Sequence, residues 1–120
     1  MSKIINVYIS EILQPNQKWI GVDLDGTLAK YNGFKGINII GDPIPEMIDR
    51  VRRWIKNGKT VKIFTARVSY GKSAKKYIKQ WLKDNNLPNL EITNIKDPNM
   101  TELWDDRAIR VQKNTGKRIK

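Results

Sequence analysis

Asp23 and Asp25 stand two residues apart, directly behind the apolar run Trp19-Ile20-Gly21-Val22 and directly ahead of Gly26-Thr27. Side chains two apart on an extended chain point the same way. Both carboxylates can therefore face one site beyond the end of a strand, while Leu24 turns back into the core. Gly26 permits the sharp turn that must follow. Carboxylates held this close repel, and a cation is the usual compensation. The competing reading is a plain strand that ends in an Asp-Gly turn. Further groups able to do chemistry lie downstream: Thr65, Arg67, Lys96 and the pair Asp105-Asp106, which precedes Arg107. The 120 residues contain no histidine and no cysteine. Imidazole catalysis, thiolate metal sites and disulfides are thereby excluded. Carboxylates, hydroxyls, Lys, Arg and the backbone must do the work.

The elements that position these groups alternate in type. Strands are expected near 19–23, 60–65, 90–94, 102–105 and 108–111. Ile44, Met47, Ile48, Val51, Trp54 and Ile55 recur at helical spacing, which predicts a helix from about 43–45 to 57 with prolines in its first turn and Gly58 as its C-terminal stop. A second helix is expected over about 73–85, with Ala74, Tyr77, Ile78, Trp81 and Leu82 inward and lysines outward. Residues 29–41 are rich in Gly and Asn and predict a small flap hairpin, in which Tyr31 and Phe34 pack or face a ligand. Val7 and Ile9 alternate with Tyr8, so residues 1–14 are expected to add an edge strand, and residues 112–120 a frayed basic tail.

Strands alternating with helices predict an α/β fold: one Rossmann-like domain, a mostly parallel sheet of about five strands flanked by helices, and a core over about 19–111. Ligands of such sheets gather beyond the carboxyl ends of the strands. Asp23, Thr65, Lys96 and Asp105 all fall at or just after expected strand ends. No apolar run approaches the length of a membrane span and no signal-peptide layout is seen, so a soluble cytoplasmic protein is expected.

The net charge of +11 is unevenly spread. Eleven Lys/Arg and no acid occur between Val51 and Lys83, and six more and no acid between Arg107 and Lys120. Between Asp84 and Asp106 there are six acids and a single base, Lys96. The pattern fits a basic surface beside an acidic pocket. A polyanion-binding face and a merely solubilising one remain equal alternatives.

The stretch Val22 to Leu28, VDLDGTL, resembles motif I of the haloacid dehalogenase (HAD) superfamily of aspartate-dependent phosphohydrolases. Thr65 matches the Thr or Ser of motif II, Lys96 the Lys of motif III, and Asp105-Asp106 the acidic pair of motif IV. The resemblance covers about Trp19 to Val111. It implies Asp23 as nucleophile and Asp25 as general acid and base. It also implies Thr65 and Lys96 on the phosphoryl group, and Mg²⁺ between Asp23, the Asp25 backbone carbonyl and Asp105/Asp106. Arg67 and Arg107 could hold a substrate phosphate; the alternative for each is an ion pair with the acidic residues.

The short flap and the lack of room for an insertion resemble a capless member, with no cap domain. The layout is similar to the phosphatase domain of phage-type polynucleotide kinase, without any kinase phosphate-binding loop. The expected activity is a Mg²⁺-dependent phosphomonoesterase acting on a nucleotide or a nucleic-acid terminal phosphate. The alternatives are a phosphatase of a small metabolite, or a weakly catalytic basic module that binds nucleic acid. Oligomeric state is not legible.

Overall fold

The computed structural model describes residues 17–120. The expected strand at 3–9 lies outside the described residues. β1 (Trp19–Val22) is buried along its whole length. It is central in a four-stranded sheet of order β3-β2-β1-β4, where β2 is Val61–Phe64, β3 is Glu91–Thr93 and β4 is Met100–Trp104. All three pairings are parallel: Ile20 lies beside Val61 and Glu102, and Ile63 beside Ile92. Among the described residues this is an α/β fold with a parallel sheet of four strands and two flanking α-helices, Rossmann-like in its alternation.

α1 (Pro45–Lys56) joins β1 to β2, and α2 (Lys72–Asp84) joins β2 to β3. Pro45 occupies the first turn of α1, where its missing N–H leaves no bond unmade. Glu46 at one end and Arg53 and Lys56 at the other suit the helix dipole. Gly58 follows at φ +80°, a backbone setting that other residues rarely adopt. Met47, Ile48 and Val51 of α1 and Ile78, Trp81 and Leu82 of α2 share one apolar cluster with Ile20, Val22, Val61, Ile63 and Ile92. Packing those two stripes on one sheet fixes where β1 and β2 end, and so where Asp23 and Thr65 stand.

Several expectations need correction. The fifth strand at 108–111 does not form: Ile109 and Val111 are more than half exposed, and none of the described residues covers them. Val111 instead bridges Arg118, and Gln112 N–H donates to Lys117 C=O at 2.7 Å. The tail expected to fray is thus folded back on itself in a tight turn. β4 starts two residues earlier than expected, at Met100, because Trp19 N–H already pairs with Asn99 C=O. The flap is closed only at its base, by Lys30 N–H to Asp42 C=O and Ile44 N–H to Leu28 C=O, both 2.8 Å. Between them the chain is irregular rather than a ladder. Residues after β2, expected as a loop, form a 3-10 turn, Ala66–Tyr70.

Candidate active site

β1 delivers Asp23 to the carboxyl end of the sheet. Its N–H continues the ladder to Trp104 C=O at 2.9 Å, so its carboxylate is carried on the rigid edge between β1 and β4. Leu24 is fully buried, as period-two alternation requires. The chain then tightens, with Gly26, Leu28 and Ala29 bonded within the turn. Gly26 has φ +91°, and a Cβ there would lie 2.6 Å from Asp106 Oδ2. A side chain here would push the Asp106 carboxylate aside, and the positive φ itself favours glycine.

Asp23, Asp105 and Asp106 each offer a carboxylate oxygen within 4.8 Å of the others. Asp23 is buried, Asp105 intermediate and Asp106 exposed. The Thr27 hydroxyl ties the group together: it accepts from Asp106 N–H at 3.0 Å, and it lies 3.3 Å from Asp106 Oδ1 and 3.4 Å from Asp23 Oδ2. Asp105 Oδ1 accepts from Arg107 N–H at 2.8 Å, which fixes the turn beyond β4. Burial of Asp23, followed by the charge of Asp105 and contact with Asp106, pushes its carboxyl up from 3.8 to about 7. An acidic trio with one buried member has the donor set of a hard divalent cation, for which oxygen ligands are preferred. These residues therefore fit a Mg²⁺ ion.

Thr65 ends β2. Its N–H pairs with Thr93 C=O and its Oγ1 accepts from Arg67 N–H at 3.1 Å, capping the 3-10 turn. That bond uses the hydroxyl as an acceptor, so its own hydrogen can still be donated to a ligand. Thr65 is nearly inaccessible, yet it lines a cavity of ≈ 270 Å³ together with Asp23, Asp25, Asp106 and Arg107.

The sequence places Arg67 at the substrate phosphate; the structure commits it elsewhere. Nε and Nη2 grip Asp25 at 2.7 and 2.9 Å. Nη1 donates to the carbonyls of Gly36 and Ile37, both at 3.3 Å, and Nη2 also to that of Ile39 at 2.9 Å. A guanidinium has five N–H donors, and all five are accounted for. The alternative ion pair is the arrangement found, although Arg67 is only 4% exposed rather than on the surface. The physical reason is that the flap carbonyls have no ladder of their own and take these donors instead. Asp25 is thereby turned toward Arg67 and its carboxylate stands outside the acidic trio, so any metal contact from this residue falls to its backbone. Arg107, exposed on the cavity wall, is the cation left facing a ligand there.

Lys96 is exposed on the β3–β4 connection and does not line this cavity. Its neighbour Asp97 anchors that connection. The Trp19 indole N–H donates to Asp97 at 2.9 Å and holds its carboxyl below the ordinary carboxylate range. Sequence reasoning missed Thr27 as a tether and Tyr70 as a cavity residue; the hydroxyl directly after Asp-Gly was the signal for the first. No helix among the described residues is long and apolar enough to cross a membrane.

No protein-family model matches the chain, and no curated protein does. The fold is similar to that of a conserved protein from Bacteroides thetaiotaomicron, with a TM-score of 0.58 and 18% identity over 78% of each chain. At that identity the likeness concerns the fold alone.

Proposed function

We propose that this protein is a Mg²⁺-dependent phosphomonoesterase of the HAD type, working through an aspartyl-phosphate. The observation that carries the reading is the convergence of buried Asp23 with Asp105 and Asp106 at the end of a parallel sheet, beside Thr65. Asp23 Oδ would attack phosphorus as the bond to the leaving oxygen breaks, and Asp25 would give that oxygen its proton. Water, deprotonated by Asp25, would then release inorganic phosphate and restore Asp23. Each Asp25 oxygen has a second lone pair beyond its bond to Arg67, so the clamp orients the group without exhausting it. Thr65 Oγ1 and Arg107, which line the cavity, would donate to the transferred group, and Lys96, which does not line it, would add its charge from the β3–β4 connection. Asp23, Asp105 and Asp106 would hold a Mg²⁺ ion, which would compensate the charge between carboxylate and phosphate.

A nucleotide or a nucleic-acid terminal phosphate is the favoured substrate class. On α2, Lys72, Lys75, Lys76, Lys79 and Lys83 line a hollow of ≈ 580 Å³ floored by Leu87 and Pro88. No acid lines it, so it is suited to a polyanion. A small phosphorylated metabolite is the second reading, favoured by the modest size of the cavity at Asp23. The test is turnover with Mg²⁺ of nucleotides, 3′- and 5′-phosphorylated oligonucleotides and sugar phosphates. Hydrolysis that stops in chelator is expected. No hydrolysis of any of them would overturn the reading.

A further inference from the structure

The cavity at Asp23, ≈ 270 Å³, is smaller than the roughly 300–1,000 Å³ of sites that enclose a drug-sized ligand. It takes a phosphoryl group and the atoms beside it. The rest of any substrate must lie on the rim, and the rim is aromatic. Phe34 of the flap and Tyr70 of the 3-10 turn stack with centroids 5.2 Å apart and planes within 10°. Tyr31 joins them on the cavity wall. All three are large side chains left substantially in water: Tyr31 is 45% exposed, Phe34 46% and Tyr70 58%. Burial of apolar surface therefore does not account for them, and exposed aromatic clusters beside a cleft mark ligand sites.

The pair is also pre-set. The Arg67 guanidinium lies 5.3 Å from the Phe34 centroid, and its bonds to the carbonyls of Gly36, Ile37 and Ile39 hold the flap that carries Phe34. Phe34 is held between Tyr70 and the Arg67 guanidinium, so the face left for a ligand is the outer one of Tyr70, which is 58% exposed, and a flat π-system is the ligand for such a face. The surroundings select among flat ligands. Arg107 lines the cavity, and the lysine face of α2 begins at Lys72, two residues beyond Tyr70. A cation on the cavity wall that also carries the aromatic step favours a phosphorylated ring system over a neutral one.

We infer that Tyr70 and Phe34 form a stacking platform for the base of a nucleotide whose phosphate enters at Asp23. The placement of the phosphate rests on the phosphatase reading; the platform itself does not. The test compares a nucleoside monophosphate with ribose 5-phosphate, which lacks only the base. The wild type is expected to favour the nucleotide in kcat/KM by about ten-fold, the size of one stacking contact. In Tyr70→Ala, an exposed site whose change leaves the core intact, that ratio should collapse toward one, mainly through KM. Calorimetric binding of the same two compounds to Asp23→Asn protein gives a second ratio that needs no turnover. If neither compound is hydrolysed while the base still improves binding, the phosphatase reading fails and the platform stands. Ratios near one in both assays, or a ratio unmoved by Tyr70→Ala, would overturn the platform whatever the catalytic result.

Discussion

Replacing Asp23 with Asn should abolish turnover and, in metal-free protein, make the fold more stable. The side chain keeps its shape and loses the charge that the site resists. Burial and the two neighbouring carboxylates raise the Asp23 carboxyl from 3.8 to about 7. At about 1.36 kcal/mol per pH unit, that displacement amounts to about 4 kcal/mol once Asp23 must ionise. Relaxation and water entry around Asp23 reduce the burial cost, its largest part, and the charges of Asp105 and Asp106 are screened because both are partly or fully open to solvent, which leaves about 2 kcal/mol as the expected gain.

The sign follows from proton counting. Below pH 4 native and unfolded chains both hold the proton, and the contribution of Asp23 is fully present. Between about pH 4 and pH 7 the unfolded chain releases it while the native one retains it, so wild-type stability falls as pH rises and then levels off. The assay is thermal denaturation in chelator at about pH 8 and pH 5. Asp23→Asn should melt about 8 °C above wild type at the higher pH, at about 4 °C per kcal/mol for a domain of this size. The difference should shrink by more than half at the lower pH. Saturating Mg²⁺ should raise the wild type selectively, because the variant has lost a ligand. A variant no more stable than wild type at pH 8, or equally favoured at both pH values, would refute the crowded-carboxylate account; wild-type activity in the variant would refute the nucleophile.

Gly26→Ala should cut activity and Mg²⁺ affinity at least ten-fold, since its Cβ falls 2.6 Å from Asp106 Oδ2 at φ +91°; Mg²⁺-dependent melting shifts report it, and an unaltered shift would count against the trio as the metal site. Arg67→Lys breaks a buried bidentate pair and frees the flap, at a cost of about 3 kcal/mol. Faster amide exchange around 30 and 44 should accompany the loss, read by mass spectrometry. Changing Lys72, Lys75, Lys76 and Lys79 together to Gln should weaken an oligonucleotide and flatten its salt dependence between about 50 and 200 mM, while a small aryl phosphate responds far less. Equal salt slopes for both substrates would reduce the lysine face to a solubilising surface.

The sequence alone determined the alternation of strand and helix, both helix stripes and the position of Asp23. These depend on local periodicity: Trp19–Val22 is too apolar to be other than central, and the stripes of Met47, Ile48 and Val51 and of Ile78 and Leu82 repeat at 3.6 residues. The residues of the site were also legible in type, because carboxylates and a hydroxyl at strand ends can be counted along a chain. What each one touches was not. Whether Arg67 meets a ligand or Asp25 depends on the carbonyls of Gly36, Ile37 and Ile39, about thirty residues away in sequence, which the flap does not pair in a ladder. Whether Lys96 enters the cavity depends on a connection pinned through Asp97 to Trp19. The fifth strand depended on a surface that the sheet does not offer to Ile109 and Val111. Period and composition set local backbone states; long-range pairing assigns hydrogen-bond donors to acceptors, and only the assembled fold decides it.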